Sequence, residues 1–246
     1  MVLKLIFAVV SLSVFVNSGK IPDYIHVCRR SDPEVSKCVR ESIDFLRPQL
    51  KKGIPELNVP GIEPLFIKEV AILRGENNNF KAYLRNINVY GASDFEITKL
   101  KMNIGKSTFR VGVKIPKLTF NGDYDIDAKI LVVPIKGTGK FRANATNCEA
   151  QAVLKGDVRT DGSGIKRLIF TSFNFAINIG DYNIELDNLF NGDRTLGQAA
   201  MDVLHENKQE FIIAALPFIN KKASEILLEI ANSITNTVDY EELFPK

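Results

Sequence analysis

The chain has 246 residues, of which 45% are hydrophobic and 25% are charged, and this composition is typical of one globular domain, or at most two. It excludes disordered, collagenous and coiled-coil proteins. The formal net charge of +3 is not concentrated in a basic block, so the sequence does not favour nucleic-acid binding. With 3 cysteines and 2 histidines the chain cannot form a multi-histidine metal site, and we predict no cofactor.

The N-terminal segment is interpreted as a secretory signal peptide. Lys4 precedes an uncharged apolar run from Leu5 to Val16, and residues 16–18 resemble a cleavage site. The run has about 12 residues, fewer than the roughly 20 that a membrane-spanning helix needs. We therefore expect a signal peptide at residues 1–18, a single secreted domain at residues 19–246, and no stable insertion into a membrane.

The first element of the mature chain is a short helix beside two cysteines. Ser31-Asp32-Pro33-Glu34 has a capping side chain and a first-turn proline, which predict a helix that extends to about Leu50. Cys28 and Cys38 bracket the start of this helix. Because a secreted protein folds in an oxidising compartment, we predict a disulfide between them.

Cys148 has no remaining partner for a disulfide. We interpret it as a buried free thiol that faces the core. The alternative is a catalytic nucleophile, and neither histidine lies near Cys148 in the sequence, although the fold could still bring one close.

The middle of the chain has the pattern of an antiparallel sheet. Three prolines and adjacent glycines in residues 53–64 predict an extended connector. From Leu65 to about Leu186, apolar and polar side chains alternate as in half-buried strands, with glycines that permit strong curvature. The alternation changes phase between Ala145 and Ala150, which predicts a bulge or turn.

The C-terminal part has helical periodicity. Apolar residues from Thr195 to about Thr235 predict one amphipathic helix of about 40 residues and about 60 Å, kinked at Pro217. The sequence therefore predicts an α+β fold, with a highly curved antiparallel β-sheet wrapped around one long C-terminal α-helix and a short N-terminal helix. Small residues among the large ones leave two alternatives open, a long apolar cavity or a fully packed core.

Five features of the sequence carry a resemblance to a known family. They are Gly-Ile-Pro-Glu-Leu at 53–57 with Glu-Pro-Leu at 63–65, residues 114–124, residues 186–193 with 196–197, the paired N-terminal cysteines, and the ending Tyr-Glu-Glu-Leu-Phe-Pro at 240–245. Through these features essentially the whole mature chain resembles the insect takeout and juvenile-hormone-binding protein family.

The resemblance implies a tubular lipid-binding fold of the super-roll type with an internal apolar tunnel. It also implies a secreted carrier whose partner is a hydrophobic small molecule, such as a terpenoid, a fatty-acid-like lipid or a juvenile-hormone-like lipid. Hormone-binding members have a second disulfide, and Cys148 resembles one half of it with no later cysteine to form the other. The chain is therefore more similar to the takeout branch.

We expect the tunnel to lie between the inward rows of the sheet and the apolar stripe of the long helix. The residues predicted to line it are Phe109, Val113, Phe120, Tyr124, Ile126, Phe141, Phe173, Phe175, Leu204, Phe211, Ala215 and Phe218. Because such a tunnel is almost wholly apolar, the shape of the ligand is expected to matter more than its head group, with one tyrosine hydroxyl as a candidate for orienting it.

Two other functions stay open, a lipid esterase acting on similar ligands and a surface-active protein that binds membranes. His26 and His205 are the candidate catalytic bases, but the sequence has no Gly-x-Ser-x-Gly nucleophile motif. It also has no cationic stripe that would favour a membrane surface. We therefore favour a carrier that is not an enzyme. Asn144, in Asn-Ala-Thr, is a candidate glycosylation site at an outward position of a strand.

Overall fold

The structure is a computed structural model that describes residues 20–74, 81–130 and 133–246. The predicted signal peptide therefore lies outside the described residues. The helices are α1 (Val35–Phe45), α2 (Arg47–Lys52), α3 (Arg194–Glu206), α4 (Lys208–Thr235) and α5 (Tyr240–Leu243). None of the described helices is both long and apolar enough to cross a lipid bilayer.

In the described ranges, seven strands form one antiparallel sheet. They are β1 (Leu65–Arg74), β2 (Lys81–Tyr90), β3 (Glu96–Asn103), β4 (Thr108–Ile130), β5 (Val133–Thr160), β6 (Lys166–Asn178) and β7 (Asp181–Leu186). Their order is β1-β2-β4-β5-β6, and β3 also pairs with β4 while β7 also pairs with β5. At 23 and 28 residues, β4 and β5 are much longer than the usual strand of about 5–6 residues, so each pairs with two shorter strands in succession along one edge.

The alternation of inward-facing residues is interrupted at one place on β5 and at the paired place on β4. On β5 the buried side chains change from Ala145 to Cys148 across Asn147, whose φ of 52° is left-handed. On β4 the same row changes from Ile115 to Leu118, and these residues pair with Cys148 and Ala145. Because both strands change phase together, their register is preserved. The irregularity predicted after Ala145 is present, but it is a left-handed residue and not a register shift.

The N-terminal region differs from its prediction in two ways. The predicted single helix begins at Val35 and divides at Leu46 into α1 and α2. The connector is not extended throughout, because Pro55–Leu57 form a turn of 3-10 helix and Ile54 pairs with Val59. Local hydrogen bonds between backbone groups close this loop, which prolines alone do not reveal.

The C-terminal helical region also differs, because it is two helices and not one. Asn207 has non-helical angles (φ −114°, ψ 36°), and its side-chain amide donates a hydrogen bond to the Val203 carbonyl oxygen at 2.8 Å. This hydrogen bond satisfies a carbonyl group at the end of α3, as a C-terminal cap does. The 28 residues of α4 correspond to about 42 Å, and Pro217 lies inside α4.

The free edge of β6 is covered by α4. Three polar side chains on α4 accept hydrogen bonds from backbone N–H groups of β6. The contacts are Ile177 N–H to Asn220 Oδ1 at 3.1 Å, Phe175 N–H to Ser224 Oγ at 3.1 Å and Phe170 N–H to Asn232 Oδ1 at 2.8 Å. The Asn232 amide also donates to the Phe170 carbonyl oxygen at 2.9 Å. The helix therefore satisfies backbone groups that an edge strand otherwise leaves unpaired.

The double contact of Asn232 predicts a measurable loss of stability. Replacing Asn232 with Ala leaves the N–H and the carbonyl of Phe170 without these partners, which we expect to cost about 1–3 kcal/mol of unfolding free energy. The measurement is urea unfolding monitored by circular dichroism. The control is Gln209→Ala, because Gln209 is an exposed side chain on the same helix. Equal midpoints for the two variants would contradict the prediction.

Candidate functional site

The candidate site is the space between the inner face of the sheet and α4. Its walls include Phe173, Phe175 and Ile177 from β6 and Ala215 and Ile226 from α4, and each of these side chains is half-buried. Within α4 the fully buried residue is Thr235, near the C-terminal end. A helix packed tightly against a sheet would bury its apolar row, so partial exposure of both walls is what the cavity alternative requires in the middle of the molecule.

The predicted lining residues differ in their surroundings. One buried cluster contains Tyr124, Ile126, Phe141 and Leu204, and another contains Phe109. The half-buried residues are Val113, Phe120, Phe173, Phe175, Phe211 and Ala215. Phe218 is 38% exposed. The half-buried residues are the ones placed best for contact with a ligand. Phe218 follows Pro217 on the outward side of α4, and much of its side chain faces solvent. As ligand contacts, all of these positions stay predictions.

One end of the space is closed by α3. Ala200 and Leu204 of this helix are buried in the same cluster as Tyr124 and Phe141. The Tyr124 hydroxyl donates to the Asp187 carbonyl oxygen at 2.6 Å. A side chain at Gly139 would lie 2.2 Å from that oxygen, so glycine permits the close approach of this loop.

Tyr182 forms the second polar contact near this end. Its hydroxyl donates to the Lys208 carbonyl oxygen at 3.0 Å, at the junction of α3 and α4. Burial, together with the negative charge of Asp181, raises the pKa of Tyr182 to about 12. Burial and the charge of Asp187 raise the pKa of Tyr124 to about 12 as well. Both phenols are therefore neutral at physiological pH and already bonded to the backbone, so neither donates freely to a ligand.

The opposite end is closed by the N-terminal segment and the C-terminal tail. The predicted disulfide is present, with Cys28 joined to Cys38 and a Cα–Cα distance of 6.0 Å. Phe109 packs edge-on against Phe170 and is stacked on Phe244, with ring centroids 5.6 and 6.2 Å apart. These rings form a packed plug, so Phe109 lies at this end of the space and not in its half-buried middle section.

A salt bridge and a backbone hydrogen bond hold the same end together. The Arg30 guanidinium contacts the Glu241 carboxylate at 2.8 Å, and the Arg30 N–H donates to the Pro245 carbonyl oxygen at 2.8 Å. The N-terminal arm is therefore tied to the C-terminal tail as well as to α1.

The candidate catalytic side chains are not arranged as a catalytic group. Cys148 is a free cysteine with 1% exposure, and burial raises the pKa of its thiol, so the predicted buried thiol is confirmed. His205 is exposed on α3. His26 is exposed and lies within 4.8 Å of the sulfurs of Cys28 and Cys38, but those sulfurs are bonded to each other. In the part of the chain that the structure describes, neither imidazole is hydrogen-bonded to a serine hydroxyl or a carboxylate.

Asn144 lies on β5 between Thr119 and Asn183 of the neighbouring strands. The alternation of the strand places it on the face opposite to Ala143 and Ala145, as expected for an outward position. Its glycosylation stays a prediction.

The sequence reasoning missed the polar residues of α4 that hold the helix. Asn220, Ser224 and Asn232 are separated by 4 and 8 residues, so they form one stripe on the helix. A polar stripe at this spacing, inside a segment rich in apolar residues, was the available signal.

Comparisons with known proteins are consistent along the whole chain. A family model described as haemolymph juvenile hormone binding protein matches residues 5–245. The sequence is 25% identical over 222 residues to a putative beta-carotene-binding protein of Schistocerca gregaria, covering 90% of this chain and 88% of that protein. It is 25% identical over 247 residues to the circadian clock-controlled protein daywake of Drosophila melanogaster, covering 96% of this chain and 93% of that protein.

A solved structure has the same fold. The crystal structure of Epiphyas postvittana Takeout 1 matches with a TM-score of 0.64 and 20% identity, covering 89% of this chain and 99% of that one. The predicted fold class, a curved antiparallel sheet with a long C-terminal helix and a short N-terminal helix, is thereby confirmed.

The buried Tyr124 predicts that alkaline pH destabilises the α3 end. The pKa of Tyr124 is about 12 in the folded chain, against about 10 for a free tyrosine. The stability that the protonated Tyr124 phenol contributes to the folded state is therefore fully present below about pH 10 and is lost as the pH rises through about 12. We expect Tyr124→Phe to lose less stability between these pH values than the parent protein, in urea unfolding at a series of pH values. Tyr90→Phe, at an exposed tyrosine, should follow the parent. A parent-like pH dependence for Tyr124→Phe would contradict the prediction.

Proposed function

Because the chain belongs to the haemolymph juvenile hormone binding protein family, we propose that it is a secreted carrier that holds a long hydrophobic small molecule between its curved sheet and α4. The observation that carries the proposal is the half-buried apolar wall on both sides of the middle section, with packed plugs at both ends. A terpenoid, a fatty-acid-like lipid or a juvenile-hormone-like lipid has the chemistry that fits such walls.

The apolar surroundings determine what the ligand must be like. Burying a chain of about 15 carbons contributes about 12 kcal/mol at about 0.8 kcal/mol per methylene. Association costs about 4 to 15 kcal/mol, so affinity depends on how much chain is buried. Tyr124 and Tyr182 are bonded to the backbone, and a head group gains little from them. We therefore propose selection by length and shape. The name of the Schistocerca gregaria relative, a putative beta-carotene-binding protein, supports an apolar ligand.

Secretion is the second part of the proposal. The apolar run from Leu5 to Val16 supports a signal peptide at residues 1–18. The disulfide between Cys28 and Cys38 supports an oxidising compartment.

The third part is that binding, and not catalysis, is the function. Hydrolysis of an ester requires a nucleophile and a base within hydrogen-bonding distance of each other. Burial of Cys148 and exposure of His26 and His205 support the carrier over the esterase. Ester hydrolysis by the purified protein that disappears when either histidine is replaced would overturn this part.

A matched pair of tryptophan variants tests where the ligand lies. Ala215 is half-buried on the inner side of α4, whereas its neighbour Ala214 is exposed. We expect Ala215→Trp to fill the cavity and weaken binding of a fluorescent long-chain fatty acid at least about tenfold, which is about 1.4 kcal/mol. Phe175→Trp should act in the same direction, and Ala214→Trp should bind like the parent. Circular dichroism checks that each variant is folded.

Binding of the probe by folded Ala215→Trp and Phe175→Trp as tightly as by the parent would place the ligand elsewhere. Native mass spectrometry of the purified parent protein identifies a lipid that copurifies with it.

A further inference from the structure

The helix α4 is attached strongly on one side. Its side chains at Asn220, Ser224 and Asn232 hydrogen-bond to the edge of β6. Its first residue, Lys208, adds an ion pair to Asp181 at 3.1 Å. These contacts extend along nearly the whole length of the helix, from its first turn to its last. They fix α4 to the β6 and β7 side of the sheet.

The other side of α4 faces β1, the opposite edge strand of the sheet. Between the described residues of α4 and β1 the structure has no hydrogen bond and no ion pair. The Ser233 hydroxyl lies 3.3 Å from the carbonyl oxygen of Asn58, in the connector that precedes β1, but its shorter bond of 2.8 Å goes to Ile230 of its own helix. A hydroxyl has one proton to donate, so this contact to the connector is weak.

We call the boundary between α4 and β1 the seam. Helical spacing identifies which residues of α4 face it. Counting back from Ser233 by 7, 11, 14 and 18 residues keeps to one face of a helix. The residues reached are Ile226, Lys222, Ile219 and Ala215. They lie on the side of α4 opposite to Asn220 and Ser224, so the wall residues Ala215 and Ile226 lie where the cavity meets the seam. Of these, Ile219 is a large apolar side chain that is 37% exposed.

Among the described residues, the seam therefore differs from both ends of the cavity. The α3 end is a buried cluster with a Tyr124 hydrogen bond, and the other end has stacked rings, a disulfide and the Arg30 salt bridge. Opening either end breaks directional bonds and exposes a packed core. Separating the described residues of α4 from those of β1 breaks no hydrogen bond and no ion pair.

From these contacts we infer that the ligand enters and leaves sideways, through the seam between α4 and β1, while α4 stays bonded to β6. This inference rests on the proposed function, since it assigns a route to the ligand of the same cavity. Ile219 stands at the rim of the opening. The route predicts that an obstacle at this residue slows entry and exit equally and leaves the equilibrium affinity unchanged.

Thiol labelling provides the test. The natural cysteines do not interfere, because Cys28 and Cys38 are bonded to each other and Cys148 is buried. A single Ile219→Cys variant is labelled with a maleimide that carries a large polyethylene glycol chain. Stopped-flow fluorescence then measures association and dissociation of a fluorescent long-chain fatty acid. We expect both rates to fall at least about tenfold, with Kd changed less than about twofold.

Three control positions make the result specific. Ala214→Cys carries the same label on the outward face of α4, Leu196→Cys places it at the start of α3, and Phe45→Cys places it on α1. The inference requires that these labelled variants keep the rates of the unlabelled parent. Slowing by the label at Leu196 or Phe45, with unaltered rates for the label at Ile219, would overturn the lateral route and place the entrance at that end.

The same experiment separates the route from the function. Probe binding by the unlabelled parent with no effect of the Ile219 label contradicts the route alone. A rise in Kd at this position shows that the label obstructs the cavity itself, which also contradicts a role at the entrance. If the unlabelled parent does not bind the probe, the proposed function fails and the route fails with it.

Discussion

The unpaired backbone edge of β6 is the constraint on which the rest of the structure depends. The N–H groups of Phe175 and Ile177 point away from β5, and α4 supplies the side chains that accept their hydrogen bonds. The spacing fits, because four residues of a helix rise about 6 Å and two residues of a strand rise about 6.6 Å. Polar side chains, and not a flat apolar contact, therefore set the distance between helix and edge. This arrangement leaves the inner walls of the middle section half-buried and allows a cavity there.

Much of the fold could be predicted from the sequence because its signals are local. Alternation of apolar and polar residues indicated the strands, and helical spacing indicated the C-terminal helices. The breaks at Leu46 and Asn207 could not be predicted in the same way. The break between α3 and α4 at Asn207 is held by Tyr182 of β7, whose hydroxyl donates a hydrogen bond to the Lys208 carbonyl oxygen. A contact between residues so far apart in the chain leaves no periodic signal.

The site was predictable in part for the same reason. Alternation showed that Phe173 and Phe175 face inward, but not whether another element covers them. Phe109 has the same pattern, yet Phe170 and Phe244 bury it in a plug. The difference between wall and plug depends on where α3 and the C-terminal tail lie, which is a property of the tertiary structure. The family resemblance supplied the idea of a tunnel, and the structure distinguishes a half-buried middle section of the sheet and α4 from packed ends.

Amide hydrogen exchange of β6, followed by NMR, tests the attachment of α4 most directly. The N–H groups of Phe170, Phe175 and Ile177 lie on the outer edge of the sheet, where a strand without a partner exchanges quickly. If α4 is bonded to this edge, these three amides exchange as slowly as those of β6 that pair with β5. Exchange of all three at the rate of exposed amides, in a folded protein, would show that α4 does not hold the edge and would contradict the account.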